Sequence, residues 1–159
     1  MRGGLRLLCH GPGAKAFRLG LGPDFQPVAA LRQLRQLFDS NAFWAQGRSL
    51  ADLAKMVRHS AVCVTAWRGR TLVGFGRATS DATYRGTIWD LVVDEASMGQ
   101  GVGSAILDAL LASPALSGCE RIYLMTTNSA GFYEKKGFQR KSTQHLMCKE
   151  RQSSGELRN

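Results

Sequence analysis

The spacing of hydrophobic and polar residues changes period several times along the chain. Over residues 28–38, Leu31, Leu34 and Phe38 recur at i, i+3 and i+7 with Arg32 and Arg35 between them, which predicts an amphipathic helix with a basic outer face. Ser49, followed three residues later by Asp52, opens a second helix on which Leu50, Leu53, Ala54 and Val57 share one face. The pattern then turns strand-like. Residues 61–67 and 71–79, joined at Arg68-Gly69-Arg70, predict a hairpin, and residues 87–93 a third β-rich run ending in Asp94-Glu95. A glycine cluster follows at residues 98–103. Behind it, residues 104–113 carry Ile106, Leu107, Leu110 and Leu111 on one helical face, with Pro114 after them. Residues 120–125 read as a strand, 129–136 as a short helix stopped at Gly137, and 138–148 as a closing strand. Residues 14–19 are a candidate leading strand.

This order, ααβββαβαβ with a leading strand, predicts a mixed α/β domain built on one central sheet. A chain of 159 residues fits a single domain spanning 1–159, with a core at about 14–148 and flexible ends. A domain of that size buries roughly 68–70 % of its unfolded surface and needs neither disulfide nor metal for a core. No uncharged apolar run approaches the ~20 residues of a membrane span, so no membrane partner is expected.

The net charge of +9 is uneven. Residues 1–60 carry +6, residues 61–120 carry −2 and residues 121–159 carry +5. Such a balance suits nucleic acid or a small polyanion such as a nucleotide phosphate. No RNA-binding signature accompanies it, so the expectation is no nucleic acid. The first 22 residues hold Arg2, Arg6, Lys15 and Arg18 and no acid, but also no Ser or Thr. That composition reads as a bacterial-type extension in a cytoplasmic protein, or as a plastid transit segment.

Cys9, Cys63, Cys119 and Cys148 form no C-x-x-C pair, and only His10 adjoins one of them, so no metal is expected. Cys63 and Cys148 lie in apolar runs and read as small buried hydrophobes. His59 closes the second helix, where its charge suits the dipole.

Strand, glycine-rich loop and helix together make an anion-binding device, because glycines admit close approach and the first helical N–H groups point outward. Gly103-Ser104-Ala105 lacks the lysine of a Walker loop, and Ser104 stands where G-x-G-x-x-G needs its last glycine.

Leu91-Val92-Val93-Asp94 followed by Gly99-x-Gly101-x-Gly103 resembles the acetyl-CoA signature of the GNAT superfamily of N-acetyltransferases, with Met98 in place of its Arg or Gln. Phe132-Tyr133-Glu134-Lys135-Lys136-Gly137-Phe138 resembles that family's second motif. The Asn or Asp that precedes it by seven residues is Thr126 here, and Asn128 either replaces it or caps the helix. The run from Gly76 to Asp81 with Thr87-Ile88-Trp89-Asp90 looks like the short cyanobacterial and plastid branch, which includes serotonin (arylalkylamine) and protein lysine or N-terminal acetyltransferases.

The resemblance implies a central mixed, mostly antiparallel sheet flanked by about four helices. It implies acetyl-CoA as co-substrate, held by Leu91, Val92, Val93, Met98, Gly99, Gln100, Gly101, Val102, Gly103, Ser104, Asn128, Phe132 and Tyr133. A backbone N–H within residues 91–93 would face the oxyanion. The acceptor would be a small-molecule or protein amine, and the chain a monomer or homodimer.

An alkyl ammonium of pKa near 10.4 loses its proton at pH 7.4 at a cost of roughly 4 kcal/mol. Asp90, in the strand ahead of residues 91–93, is the candidate base, with Asp81 and Glu134 behind it. Asp90 is alternatively a structural carboxylate satisfied by Arg77 or by a backbone N–H. Regular alternation places Asp90 with Val92 on one face, and Trp89, Leu91 and Val93 on the other. Tyr133 is the candidate acid for the leaving thiolate, or alternatively a packed core tyrosine. Phe43, Trp44, Tyr84 and Trp89 are candidates to line an amine pocket, or are core. The expected function is N-acetyl transfer by direct attack in a ternary complex. The alternatives are a non-catalytic acyl-CoA-binding regulatory module of the same fold, and a basic nucleic-acid-binding protein.

Overall fold

The computed structural model describes residues 4–12 and 27–151. These fall into two compact units, Met1–Met125 and Thr126–Asn159.

The first unit holds β1 (Leu5–His10), α1 (Pro27–Asn41), α2 (Leu50–Arg58), β2 (Val62–Arg68), β3 (Thr71–Ser80), β4 (Arg85–Val93), α3 (Val102–Ala112) and β5 (Arg121–Tyr123). Short 3₁₀ turns stand at Phe43–Ala45 and Glu95–Ser97. The five strands form one sheet in the order β1-β2-β3-β4-β5. The first four are antiparallel, and β5 runs parallel to β4. The connection from β4 to β5 passes through α3, as a parallel pair requires.

Local chemistry sets these elements. The Ser49 side chain accepts from Asp52 N at 3.1 Å and its hydroxyl donates to the Asp52 carboxylate at 2.9 Å, which closes the start of α2. Lys55 and Arg58 occupy its last turn, where positive charge meets the helix dipole, and His59 is its C-terminal cap. Phe38, Leu34 and Leu37 from α1, with Leu53 and Val57 from α2, bury against Cys63, Trp67, Phe75 and Val92 of the sheet. Phe38 and Phe75 meet edge to face at 5.6 Å. Each such side chain contributes about 1.5–3 kcal/mol of burial.

The opposite face of the sheet receives α3. A Cβ on Gly74 would meet Ile106 Cδ1 at 2.6 Å, and one on Gly76 would meet Ile106 Cγ2 at 2.8 Å. Glycine at these two positions lets α3 lie against β3 at backbone distance.

The second unit contains α4 (Ala130–Glu134). Phe138 N donates to Tyr133 O at 3.1 Å and Gly137 N to Glu134 O at 3.0 Å, with Gly137 at φ 89°. This is a Schellman stop, as the glycine predicts.

Three expectations change. The leading strand is Leu5–His10, inside the basic N-terminal segment, whereas residues 14–19 lie outside the described residues. Residues 138–148 form no strand. Between Phe138 and Leu146 every residue is polar, so no apolar face exists to bury. Leu146, Met147 and Cys148 are exposed, so Cys148 is not the buried hydrophobe its neighbours suggest. Cys63 is buried, and burial pushes its thiol up to about 12.

Candidate active site

The pairing of β3 with β4 is regular except at one point. Phe75 faces Val92 and Arg77 faces Trp89, so Gly76 alone stands opposite both Asp90 and Leu91. Asp90 has φ 53°, a left-handed conformation that Asp tolerates better than most residues. This is a β-bulge, and it corrects the alternation read from sequence. Trp89 shares the α1/α2 face with Asp90, because its indole N–H donates to Thr79 Oγ1 at 2.8 Å and the Arg77 guanidinium stands 6.0 Å from its ring centroid. Leu91 turns to the α3 face, where it would touch a Cβ on Gly76.

The Asp90 side chain is only 7 % exposed. Arg77 Nε donates to its Oδ2 at 2.8 Å. Trp44 Nε1 donates to Oδ1 at 3.3 Å, and Arg48 Nη1 lies 3.5 Å from the same oxygen. Arg77 Nη1 continues to Ser60 Oγ at 3.4 Å, and the Arg48 guanidinium lies over the Phe38 ring at 5.3 Å. Both carboxylate oxygens are thus occupied by donors, the arrangement of a structural ion pair. The other two carboxylates are occupied as well. Asp81 Oδ1 accepts from Arg85, Thr83 and Tyr84 N–H groups, which hold its carboxyl below the usual range. Within the second unit, Glu134 pairs with Arg140 at 2.8 Å.

Phe43, Trp44 and Trp89 gather around Asp90, with Phe43 and Trp44 in edge contact at 5.1 Å. Tyr84 does not join them. It sits in the turn that Asp81 caps, about 20 Å of strand away. Phe43 and Trp44 are exposed rather than core.

β5 pairs only with Arg85, Gly86 and Thr87, so the β4 edge at residues 88–93 has no strand partner among the described residues. Val92 points its side chain into the core, so only its backbone is available at this edge. Gly99 (φ 72°) and Gly101 (φ 81°) lead into α3, and a Cβ on either would meet nothing within 4 Å. Val102 lies beside Gly74, which pairs with Val93. The helix start therefore stands level with the open end of β4, and its first N–H groups have no intrahelical acceptor. Met98 is exposed beside this loop, and Gln100 turns back to Ala96 O at 2.9 Å. Asn41, which no sequence signal marked, accepts from Glu95 N at 3.0 Å and donates to Leu37 O at 3.0 Å. It ties the end of α1 to the turn ahead of the glycines.

In the second unit, Tyr133 packs between Phe132 and Phe138, with ring centroids 5.0 and 5.9 Å away. Burial raises its pKa, so the phenol carries its proton throughout the neutral range. The N-cap of α4 is Ser129, whose N–H donates to Thr126 Oγ1 at 3.1 Å. Asn128 is therefore not the cap; its Oδ1 accepts from the Ser129 hydroxyl at 3.3 Å. Among the described residues no cluster of three metal-ligating side chains occurs, and no helix is long and apolar enough to cross a membrane.

A mixed sheet between helices, with a glycine-opened helix start level with a strand edge that is unpaired among the described residues, defines an α/β domain. Residues 30–138 match the Acetyltransferase (GNAT) family, and the chain belongs to that family. Two relatives place it further. The uncharacterized N-acetyltransferase ycf52 of Porphyra purpurea is 32 % identical over 68 % of this chain and 64 % of its own length. GCN5-related N-acetyltransferase 1, chloroplastic, of Arabidopsis thaliana is 29 % identical over 68 % of this chain and 55 % of its own length. The chain thus matches between about half and two thirds of these relatives. Among solved structures, a GNAT-family protein from Xanthomonas campestris pv. campestris superposes with TM-score 0.69 at 25 % identity, covering 91 % of this chain and 93 % of that one. A GNAT protein from Streptococcus pneumoniae superposes with TM-score 0.70 at 20 % identity, covering 94 % and 100 %.

Proposed function

We propose that the chain is an acetyl-CoA-dependent N-acetyltransferase that passes the acetyl group directly to a primary amine. The observation that carries this reading is the level placement of the α3 start and the unpaired β4 edge. The N–H groups after Gly101 hold the donor's pyrophosphate, and the free backbone at residues 91–93 aligns the thioester and stabilises its oxygen as charge develops. The amine nitrogen attacks the carbonyl carbon; the C–N bond forms as the C–S bond breaks. The resemblance of residues 132–138 to the family's second motif makes Tyr133 the group that protonates the departing sulfur. Asp90, Asp81 and Glu134 are each engaged in pairs, so water takes the proton from the amine, and Asp90 serves to hold the bulge. The acceptor is a small amine or a protein amine. The chloroplastic relative supports a plastid-type setting.

Acetyl-CoA should raise the melting temperature and label an amine from a radiolabelled donor. Gly101→Val forces a β-branched residue to φ 81° and covers the amides, so it should abolish the thermal shift. An unchanged shift in folded Gly101→Val protein would remove the assignment of this loop.

A further inference from the structure

The acceptor side of the site holds a cation that the transfer reaction does not use. On the proposed reading, the donor's pyrophosphate sits at the α3 start, on the α3 face of the sheet. Its thioester reaches through the open β4 edge, so the acceptor approaches from the opposite face. That face is where Trp44, Phe43, Trp89, Asp90, Arg77 and Arg48 gather.

Two guanidiniums meet one carboxylate there. Arg77 is well matched: its Nε bonds Asp90 at 2.8 Å, its Nη1 reaches Ser60, and its side chain is 17 % exposed. Arg48 is not. Its closest approach to the carboxylate is 3.5 Å, its other polar contact is the weak acceptor Met56 Sδ at 3.6 Å, and its side chain is 31 % exposed. Among the described residues its Nε and Nη2 meet no acceptor. The guanidinium stays in place because the Phe38 ring supports it at 5.3 Å. It is a held, partly exposed cation with unused donors in a fork suited to carboxylate or phosphate. Beside it stand the exposed rings of Phe43 and Trp44.

We propose that the acceptor is an amine that also carries an anionic group, with an aromatic or apolar body, and that Arg48 is the residue that selects it. The proposal rests on the acetyl-transfer reading above and narrows its substrate. A plain arylalkylamine offers the rings a body but gives the Arg48 fork nothing to hold.

The test uses matched acceptors with the intact protein and acetyl-CoA: tyrosine against tyramine for a carboxylate, and glucosamine 6-phosphate against glucosamine for a phosphate. The expected result is that the anionic member of at least one pair has a kcat/KM at least tenfold higher, carried mainly by KM. Which pair responds tells carboxylate from phosphate. Arg48→Gln should cut that preference at least tenfold, and Arg48→Lys, which keeps the charge but loses the fork, should restore part of it. Melting temperatures of both variants separate a selective effect from a folding defect. Equal use of both members of each pair, or preference for the neutral ones, overturns the proposal while leaving acetyl transfer intact. An Arg48→Gln variant that folds and keeps the full preference also overturns it. Binding of acetyl-CoA without transfer to any amine in a broad screen would overturn the transfer reading itself, and this proposal with it.

Discussion

At the scale of single residues, Asp90 and Tyr133 make opposite predictions. Asp90 is buried against Arg77 and held in a left-handed conformation. Asn tolerates that conformation at least as well, so Asp90→Asn removes the charge without adding backbone strain. Leaving the largely buried Arg77 guanidinium without its carboxylate costs up to about 3–5 kcal/mol. The melting temperature should fall sharply, and any rate defect should be the same at every pH. A defect largest near neutral pH and vanishing toward the amine's own pKa would instead make Asp90 the base. Tyr133→Phe should lower kcat on the order of 10²–10³ with little change in KM for acetyl-CoA, because a leaving thiolate exists only in the transition state. A change in kcat within about twofold, with chemistry rate-limiting, would reduce Tyr133 to packing. Its pKa is raised by burial. The phenol therefore keeps its proton beyond the usual value of about 10, and the activity it supports should decline only above that pH. The stability tied to the neutral phenol has the same sign: full below the unfolded value, and lost as pH climbs through the folded one.

At the scale of elements, the site depends on how closely α3 lies on the sheet. Gly74 and Gly76 permit that approach, and Ile106 occupies the space their side chains would take. Gly76→Ala places a methyl group among Ile106, Leu110 and Leu91, at 2.8 to 3.2 Å. Overpacking of this kind costs about 1–3 kcal/mol. Because the strain displaces α3, acetyl-CoA affinity should fall by more than the stability loss alone explains. Calorimetric titration of the variant below its melting temperature checks this, and an unaltered Kd would show that the helix start is positioned by the loop instead.

At the scale of the whole molecule, the expected thermal response can be sized. A ligand at a hundred times its Kd stabilises by about 2.7 kcal/mol, which in a domain of this length corresponds to a rise of roughly 5–10 °C. Much of this architecture was legible in advance. The periods of α1, α2 and α3, the Ser49 cap, the β2–β3 hairpin and the Gly137 stop are local signals, and local signals survive into the fold. What was illegible is non-local or conformational. Nothing in sequence marks Asn41 as the acceptor for an N–H 54 residues away, or Arg48 as a neighbour of Asp90. The glycine loop was readable as a loop because its residues are contiguous. Around Asp90, Phe43, Trp44, Trp89 and the Arg77 pairing were also named in advance, whereas Tyr84 was wrongly grouped with them and Arg48 was missed. The face assigned to Trp89 failed for another reason: strict alternation assumes an unbroken ladder.

That broken ladder has a consequence in counting. Take Asp90 out of β4 and Trp89 is followed by Leu91, Val92 and Val93, each already on the face that an uninterrupted strand would give it opposite Gly76, Phe75 and Gly74. The sheet can be written with one residue fewer and lose none of its pairing. Asp90 is a supernumerary residue, and the guanidiniums and the indole that secure it are partners the bare sheet would not need. A bulge bends and twists its strand away from regular pairing. In this molecule the strand on the far side of β4 keeps its partner for three residues and then loses it. The spare residue in β4 thus lies within the stretch of that strand whose outer edge has no strand partner among the described residues.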